Sequence, residues 1–178
     1  MRPVTVAIAD ADCKRRAEYE NSLRSELGGA LLTSVKSSSE ASNDSLFADR
    51  RRKTRANVTT GEDEVFRIKR LKPRVLLINM DLGADEDCAM LVSIRRACPE
   101  ALLVLLADDS AEEDQILQAL EIGIRGYLSR KAAKSQILKA IQVVDDGEAW
   151  VPRKMLGHIM DHVLHWCHDG LSRPAIIK

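Results

Sequence analysis

The chain has 178 residues, 45% of them hydrophobic and 30% charged, with 27 Lys and Arg balanced by 27 Asp and Glu. That length holds one domain of about 120 residues with added segments, and excludes two full-sized domains. Zero net charge excludes attraction to nucleic acid or an anionic membrane by the field of the whole molecule, so any such contact needs a local patch.

The elements alternate along the chain. A Val/Ile/Ala run from Val4 to Ala9 predicts strand one, and a helical pattern from about Lys14 to Leu27 follows, ended by Gly28-Gly29. Residues 28–60 break the rhythm with Ser37-Ser38-Ser39, Asn43-Asp44-Ser45 and a basic run, so about 38–57 is expected to be a mobile insertion. Strand two has two candidates: Ala30 to Val35 has the better β-propensity, and Ala56 to Thr60 is better placed before the next helix, about Gly61 to Leu71. Strand three is Val75 to Ile78, introduced by Pro73, with a helix from about Asp85 to Ala97 after it. Strand four is Ala101 to Leu106. Ser110-Ala111-Glu112-Glu113 then reads as a capping box opening a helix whose buried stripe is Ile116, Leu117, Leu120 and Ile122. A short strand over Gly126 to Ser129 and a helix from about Lys134 to Val144 complete the alternation. Short apolar runs separated by helices predict an α/β fold with a doubly wound, five-stranded parallel sheet covered on both faces.

Cys13, Cys88, Cys98 and Cys167 form no C-x-x-C pair, the N-terminus lacks a secretory apolar stretch, and no apolar run approaches the roughly 20 residues of a membrane span. The expectation is a cytoplasmic protein with reduced thiols and no membrane contact.

Four segments, GEDEVFRIKRLKPRVLLIN from Gly61, ALLVLLAD, ALEIGIRGYLSRKA and IQVVDDGEAWVPR, closely resemble the receiver domains of NarL/FixJ-type response regulators. Similarity covers about residues 4–27 and 60–153. The resemblance implies a flavodoxin-like receiver over 1–152, carrying the insertion near strand two, and a C-terminal helical extension or linker over 153–178. In that family two acidic residues after strand one and an aspartate after strand three bind Mg²⁺. That aspartate accepts a phosphoryl group, and a Ser or Thr after strand four and a Lys after strand five contact its oxygens.

Carried over to this sequence, Asp10 matches the first acidic position, but the second falls on Ala11, with Asp12 one place later. Asn79 stands at the acceptor position, Leu106 at the hydroxyl position and Arg130 at the lysine position. An amide is neutral and a poor nucleophile, and a leucine offers a phosphoryl oxygen no donor. The pattern therefore predicts an atypical pseudo-receiver whose phosphorylation pocket is degenerate. A register slip would put Asp81 forward as acceptor; a solvated loop acid is its plainer reading. Tyr127 matches the family's switch aromatic; with Leu106 in place of the hydroxyl it reads either as a side chain locked in one position by packing or as an ordinary part-buried tyrosine with its O–H near water.

Beyond the receiver, His158, His162, His165 and Asp169 share one helical face, with Leu156, Ile159, Met160, Val163, Leu164 and Cys167 opposite. Their i, i+4 spacing makes the first four weak metal-ligand candidates beside the plain reading of a solvated face; no metal and no cofactor is expected. The apolar face needs a surface to cover: a second copy, the receiver itself or a partner. Arg50, Arg51, Arg52, Lys53 and Arg55 are a weak candidate for nucleic-acid contact, equally readable as a solvated loop.

No Ser-His-Asp, metalloprotease or P-loop spacing occurs, so no enzymatic activity is expected. The leading expectation is a phosphorylation-independent signalling and protein-interaction module in transcriptional control, self-associating through the C-terminal helix and the last receiver helices. The alternatives are a small-ligand sensor built on the degenerate pocket, and the receiver part of a helix-turn-helix regulator whose DNA-binding output domain lies outside this sequence.

Overall fold

Val-, Leu- and Ile-rich runs buried on both faces need helices on both sides, and the computed structural model shows that arrangement. It describes residues 4–27, 30–32, 61–82 and 88–171, with the side chains of 32, 61–63, 162 and 165–171 outside that description. Strands β1 (Val6–Ala9), β2 (Leu31–Leu32), β3 (Val75–Asn79), β4 (Leu102–Ala107) and β5 (Gly126–Ser129) form a parallel sheet in the order β2-β1-β3-β4-β5. Helices α1 (Cys13–Leu27), α2 (Gly61–Leu71), α3 (Ala89–Ala97), α4 (Glu113–Ile122), α5 (Lys134–Asp145) and α6 (Arg153–Leu171) alternate with the strands and then extend beyond them.

Alternation along each strand sorts the core into two layers. Ala7, Ala9, Leu76, Ile78, Leu103 and Leu105 pack on the α2–α3–α4 side, while Val6, Ile8, Leu77, Val104, Leu106 and Leu128 pack against α1 and α5. A third, smaller cluster joins Ile116 and Leu117 of α4 to Met155 and Ile159 at the start of α6, with Tyr127 part-buried against it. Past β5, Trp150 forms an isolated parallel bridge with Gly126 and accepts the Tyr127 N–H at 2.8 Å. A Cβ on Gly126 would lie 3.3 Å from that of Trp150, which is why the chain has glycine there.

Three sequence expectations are refined. Strand two pairs with β1 through Leu31 and Leu32, within the first of its two candidate segments; 33–60, with the proposed insertion, its basic run and the other candidate, lies outside the described residues. Helix α3 opens at Ala89, not near Asp85: Cys88 has φ 47° and ψ 33°, a left-handed conformation that an α-helix cannot run through, and 83–87 lie outside the described residues. The capping box is not formed. Helix α4 begins at Glu113, with Glu112 as its cap residue and no side-chain cap hydrogen bond, because Ala111 N–H is turned back to Asp108 O at 3.0 Å and holds Ser110 in a separate turn.

Candidate functional site

The strand order reverses direction between β1 and β3, and in open parallel sheets the crevice for a ligand opens there, at the carboxyl ends of the strands. The register puts Asp10 and Asn79 side by side one step past the pairing of Ala9 with Ile78, and pairs Asn79 with Leu106. Both polar side chains are thereby carried into the interior: Asp10 is 3% exposed and Asn79 fully buried.

Burial of a carboxylate demands compensation, and Asp10 receives four hydrogen bonds. Arg15, from the first turn of α1, donates through Nε to Oδ2 and through Nη2 to Oδ1, both at 2.7 Å. Asn79 Nδ2 donates to Oδ2 at 2.7 Å, and the Asp12 N–H to Oδ1 at 2.8 Å. Burial by itself raises the Asp10 pKa, but these donors outweigh it and hold the carboxyl below its ordinary value. The same bonds push the Arg15 guanidinium further up, so each partner favours the charged form of the other.

From this pair an ion-pair chain runs across the mouth of the site. Arg15 Nη2 also reaches Asp81 Oδ2 at 3.0 Å. Asp81 Oδ1 accepts from Arg130 Nη2 at the end of β5, and Arg130 Nη1 lies 3.0 Å from Asp108 Oδ2 beyond β4. Asp81 is set in place by the 3-10 turn Met80–Leu82, whose Asp81 N–H donates to Asn79 Oδ1 at 3.2 Å. Arg130 is anchored at its carbonyl by the Tyr19 hydroxyl, 2.8 Å away. Arg15, Glu18, Tyr19, Ser22, Asp108 and Arg130 line an open cleft of about 510 Å³ beside this chain.

The site residues read from the sequence divide into two groups. Asp10, Asn79, Asp81 and Arg130 converge. Asp12 does not join them: it is exposed, and its carboxylate caps α1, accepting the Lys14 N–H at 2.8 Å. Ala11 is exposed as well, and Leu106 is buried in the α1/α5 layer beside Asn79. Asp81 is not simply solvated, since both carboxylate oxygens are paired. Arg15 is the residue the sequence reading missed. Its position five residues after Asp10 is the available signal, but Arg16 beside it offers the same chemistry and only the phase of α1 separates them.

Mg²⁺ prefers carboxylate, phosphate and water oxygens. Here both Asp10 oxygens already accept from Arg15, Asn79 and a backbone N–H, Asp12 is engaged on its own helix, and the neighbouring strand end supplies a neutral amide. The donor set does not fit the ion, and the Arg15 guanidinium supplies the positive charge against Asp10. Among the described residues no group of three or more His, Cys, Asp or Glu is placed to hold a metal. Of the histidine face on α6, His158 Nδ1 lies 3.4 Å from Glu113 Oε1, while the side chains of His162, His165 and Asp169 are outside the described set.

No protein-family model matches the chain. The signal receiver domain of a NarL response regulator from Mycobacterium tuberculosis superposes with a TM-score of 0.57 at 18% identity, over 83% of this chain and 100% of that one. The chain has the receiver fold. The chain is similar in sequence to oxygen regulatory protein NreC of Staphylococcus haemolyticus, 25% identical over 117 residues, 64% of this chain and 52% of that protein. The DNA-binding transcriptional activator EvgA of Escherichia coli K12 is 24% identical over 99 residues, 54% of this chain and 47% of its own. The chain thus spans about half the length of the curated relatives it matches. No helix among the described residues is long and apolar enough to cross a membrane.

Proposed function

We propose that this receiver is a pseudo-receiver: a non-catalytic, phosphorylation-independent signalling module acting through protein contacts, in transcriptional control. The observation that carries the reading is the hydrogen bond from Asn79 Nδ2 to Asp10 Oδ2 at 2.7 Å. The atom at the acceptor position is a neutral donor already committed to its neighbour, and the guanidinium of Arg15 lies on that same carboxylate. At that position a phosphoryl donor would meet a neutral amide instead of an anionic nucleophile, beside a donor set that does not fit a divalent ion. With Leu106 packed in the core at the hydroxyl position, the trigger that would draw Tyr127 inward is absent too.

Helix α6 supplies the contact surface in this reading. Met155 and Ile159 turn inward onto α4, which leaves Leu156, Met160, Val163 and Leu164 exposed. Leu156, Met160 and Val163 recur at spacings of four and three, the seam pattern by which like helices pair, and the occupant we assign is a second copy of this chain. The DNA binding named for the relative EvgA is not assigned to this receiver in the proposal.

The test is incubation with Mg²⁺ and acetyl phosphate, and separately with beryllofluoride, followed by intact mass and a two-dimensional amide NMR spectrum. The expected result is an unchanged mass and unmoved peaks around Asp81 and Tyr127. Gain of one phosphoryl group with movement of those peaks would show a working switch and sink the proposal.

A further inference from the structure

Two guanidiniums from opposite sides of the site, Arg15 on α1 and Arg130 after β5, converge on a single carboxylate, and each takes a different oxygen of Asp81. Two arginines closing on one anion from separate elements form an oxyanion seat, since each guanidinium presents a planar set of donors to oxygen. The seat is held firmly. Arg15 is braced by Asp10 from below, and Arg130, its side chain only 12% exposed, is held by Asp108 and through its carbonyl by Tyr19.

One donor in the seat is unused. Arg130 Nε is buried and has no hydrogen-bond partner among the described residues. A buried N–H left unpaired is costly, and the reason here is the shape of the occupant: a carboxylate has two oxygens, both of which are already engaged. A tetrahedral oxyanion carries further oxygens and can answer Nε as well. The cleft of about 510 Å³ lined by Arg15, Glu18, Tyr19, Ser22, Asp108 and Arg130 shares both arginines with the seat and has room for the body of a molecule bearing such a group.

We propose that Arg15 and Arg130 form a non-covalent binding seat for a phosphate-like oxyanion, and that Asp81 is a built-in carboxylate plug that a free anion must displace. Displacement is required by charge. Asp10, Asp81, Asp108 and Glu18 surround the two arginines, so an anion entering beside Asp81 would meet a site already rich in negative charge, whereas one entering in its place meets two partnerless guanidinium edges. A tethered carboxylate also acts at an effective concentration of about millimolar or above, so the unmodified protein is closed to dilute phosphate. Binding would lift the Met80–Leu82 turn off Asn79 and carry that segment with it. This inference does not rest on the protein-contact role proposed above; an occupied seat would give that role an input.

The experiment is a thermal-shift and NMR titration of the full chain with inorganic phosphate against acetate and chloride at matched ionic strength. In the unmodified protein phosphate leaves the melting temperature where chloride leaves it. In Asp81→Asn, which keeps the shape and removes the charge, phosphate raises it progressively by mass action, with an apparent affinity at least tenfold tighter than in the parent and tighter than for acetate. The Arg130 Nε–H resonance moves with it. Asp81→Ser is the second vehicle should the asparagine variant fold poorly, and adding Arg130→Ala abolishes the effect in either. A phosphate response of equal size in parent and Asp81 variants, or none in both variants, would overturn the seat; acetate matching phosphate would overturn its tetrahedral preference. None of these outcomes depends on whether acetyl phosphate modifies the protein.

Discussion

Asn79 and Asp10 act as one unit: a buried carboxylate is tolerable beside a buried amide because the amide points its N–H₂ at it and turns its oxygen to the Asp81 backbone N–H. Asn79→Asp would exchange that donor for an acceptor and bring two carboxylates within hydrogen-bonding distance. Its pKa would rise, since like charges disfavour the ionised form, so the cost is present at neutral pH and shrinks as pH falls through the raised value. A loss of about 3 kcal/mol at pH 7 is expected, easing toward pH 5, in denaturant unfolding at the two pH values. The variant should also stay inert to acetyl phosphate, because Arg15 still lies on Asp10; gain of a phosphoryl group would show that the amide alone silences the site. The identity of Asn79 was legible in the sequence because an apolar strand runs directly into it. Its partner was half legible: the position of Asp10 at the neighbouring strand end follows from the sequence, but the arginine closing over it does not, because helix phase relative to the sheet is set by packing.

At the scale of elements, α6 carries two apolar strips where the sequence showed one broad face. Ile159 of that face packs with Met155, a residue the sequence reading left off it, onto α4, whereas its neighbour Met160 is 60% exposed. A helix wheel cannot divide such a face, since it records which residues lie together and not which neighbour reaches them. Met160→Asp combined with Leu156→Asp should leave melting behaviour within about 1 kcal/mol of the parent, as exposed substitutions do, and should convert a dimer to a monomer in sedimentation velocity. A parent that sediments as a monomer at high micromolar concentration would remove the self-association proposal. The unformed capping box at Ser110 and the late start of α3 teach the same point at helix ends. A local motif competes with the turn that the preceding strand imposes, and here the Asp108–Ala111 turn and the left-handed Cys88 prevail.

Across the whole molecule, Asp10 and Arg15 tie α1 to the sheet at the strand ends, so their charge state should be read in global stability. The Asp10 pKa is lowered on folding, hence its contribution is full above the unfolded value near about 4 and is lost as pH falls through the folded one. Arg15→Ala removes the largest of the influences that lower it, so burial is then opposed only by the Asn79 amide and the Asp12 N–H and the Asp10 pKa rises relative to the parent. The variant should be weaker by about 2–3 kcal/mol at pH 7, with the deficit narrowing toward pH 4; a deficit constant across that range, by chemical denaturation, would show that Arg15 acts by packing alone. The order of elements, the parallel sheet and the asparagine that ends the third strand follow from the sequence by itself, because strand periodicity, helix length and residue identity are local properties of the chain. Which strand-two segment pairs, which arginine closes the site, and that Asp81 bridges Arg15 and Arg130 were decided only by the tertiary structure. Those outcomes depend on distances between residues as far apart as 66 positions, Arg15 to Asp81, which sheet order and helix packing set and no local pattern encodes.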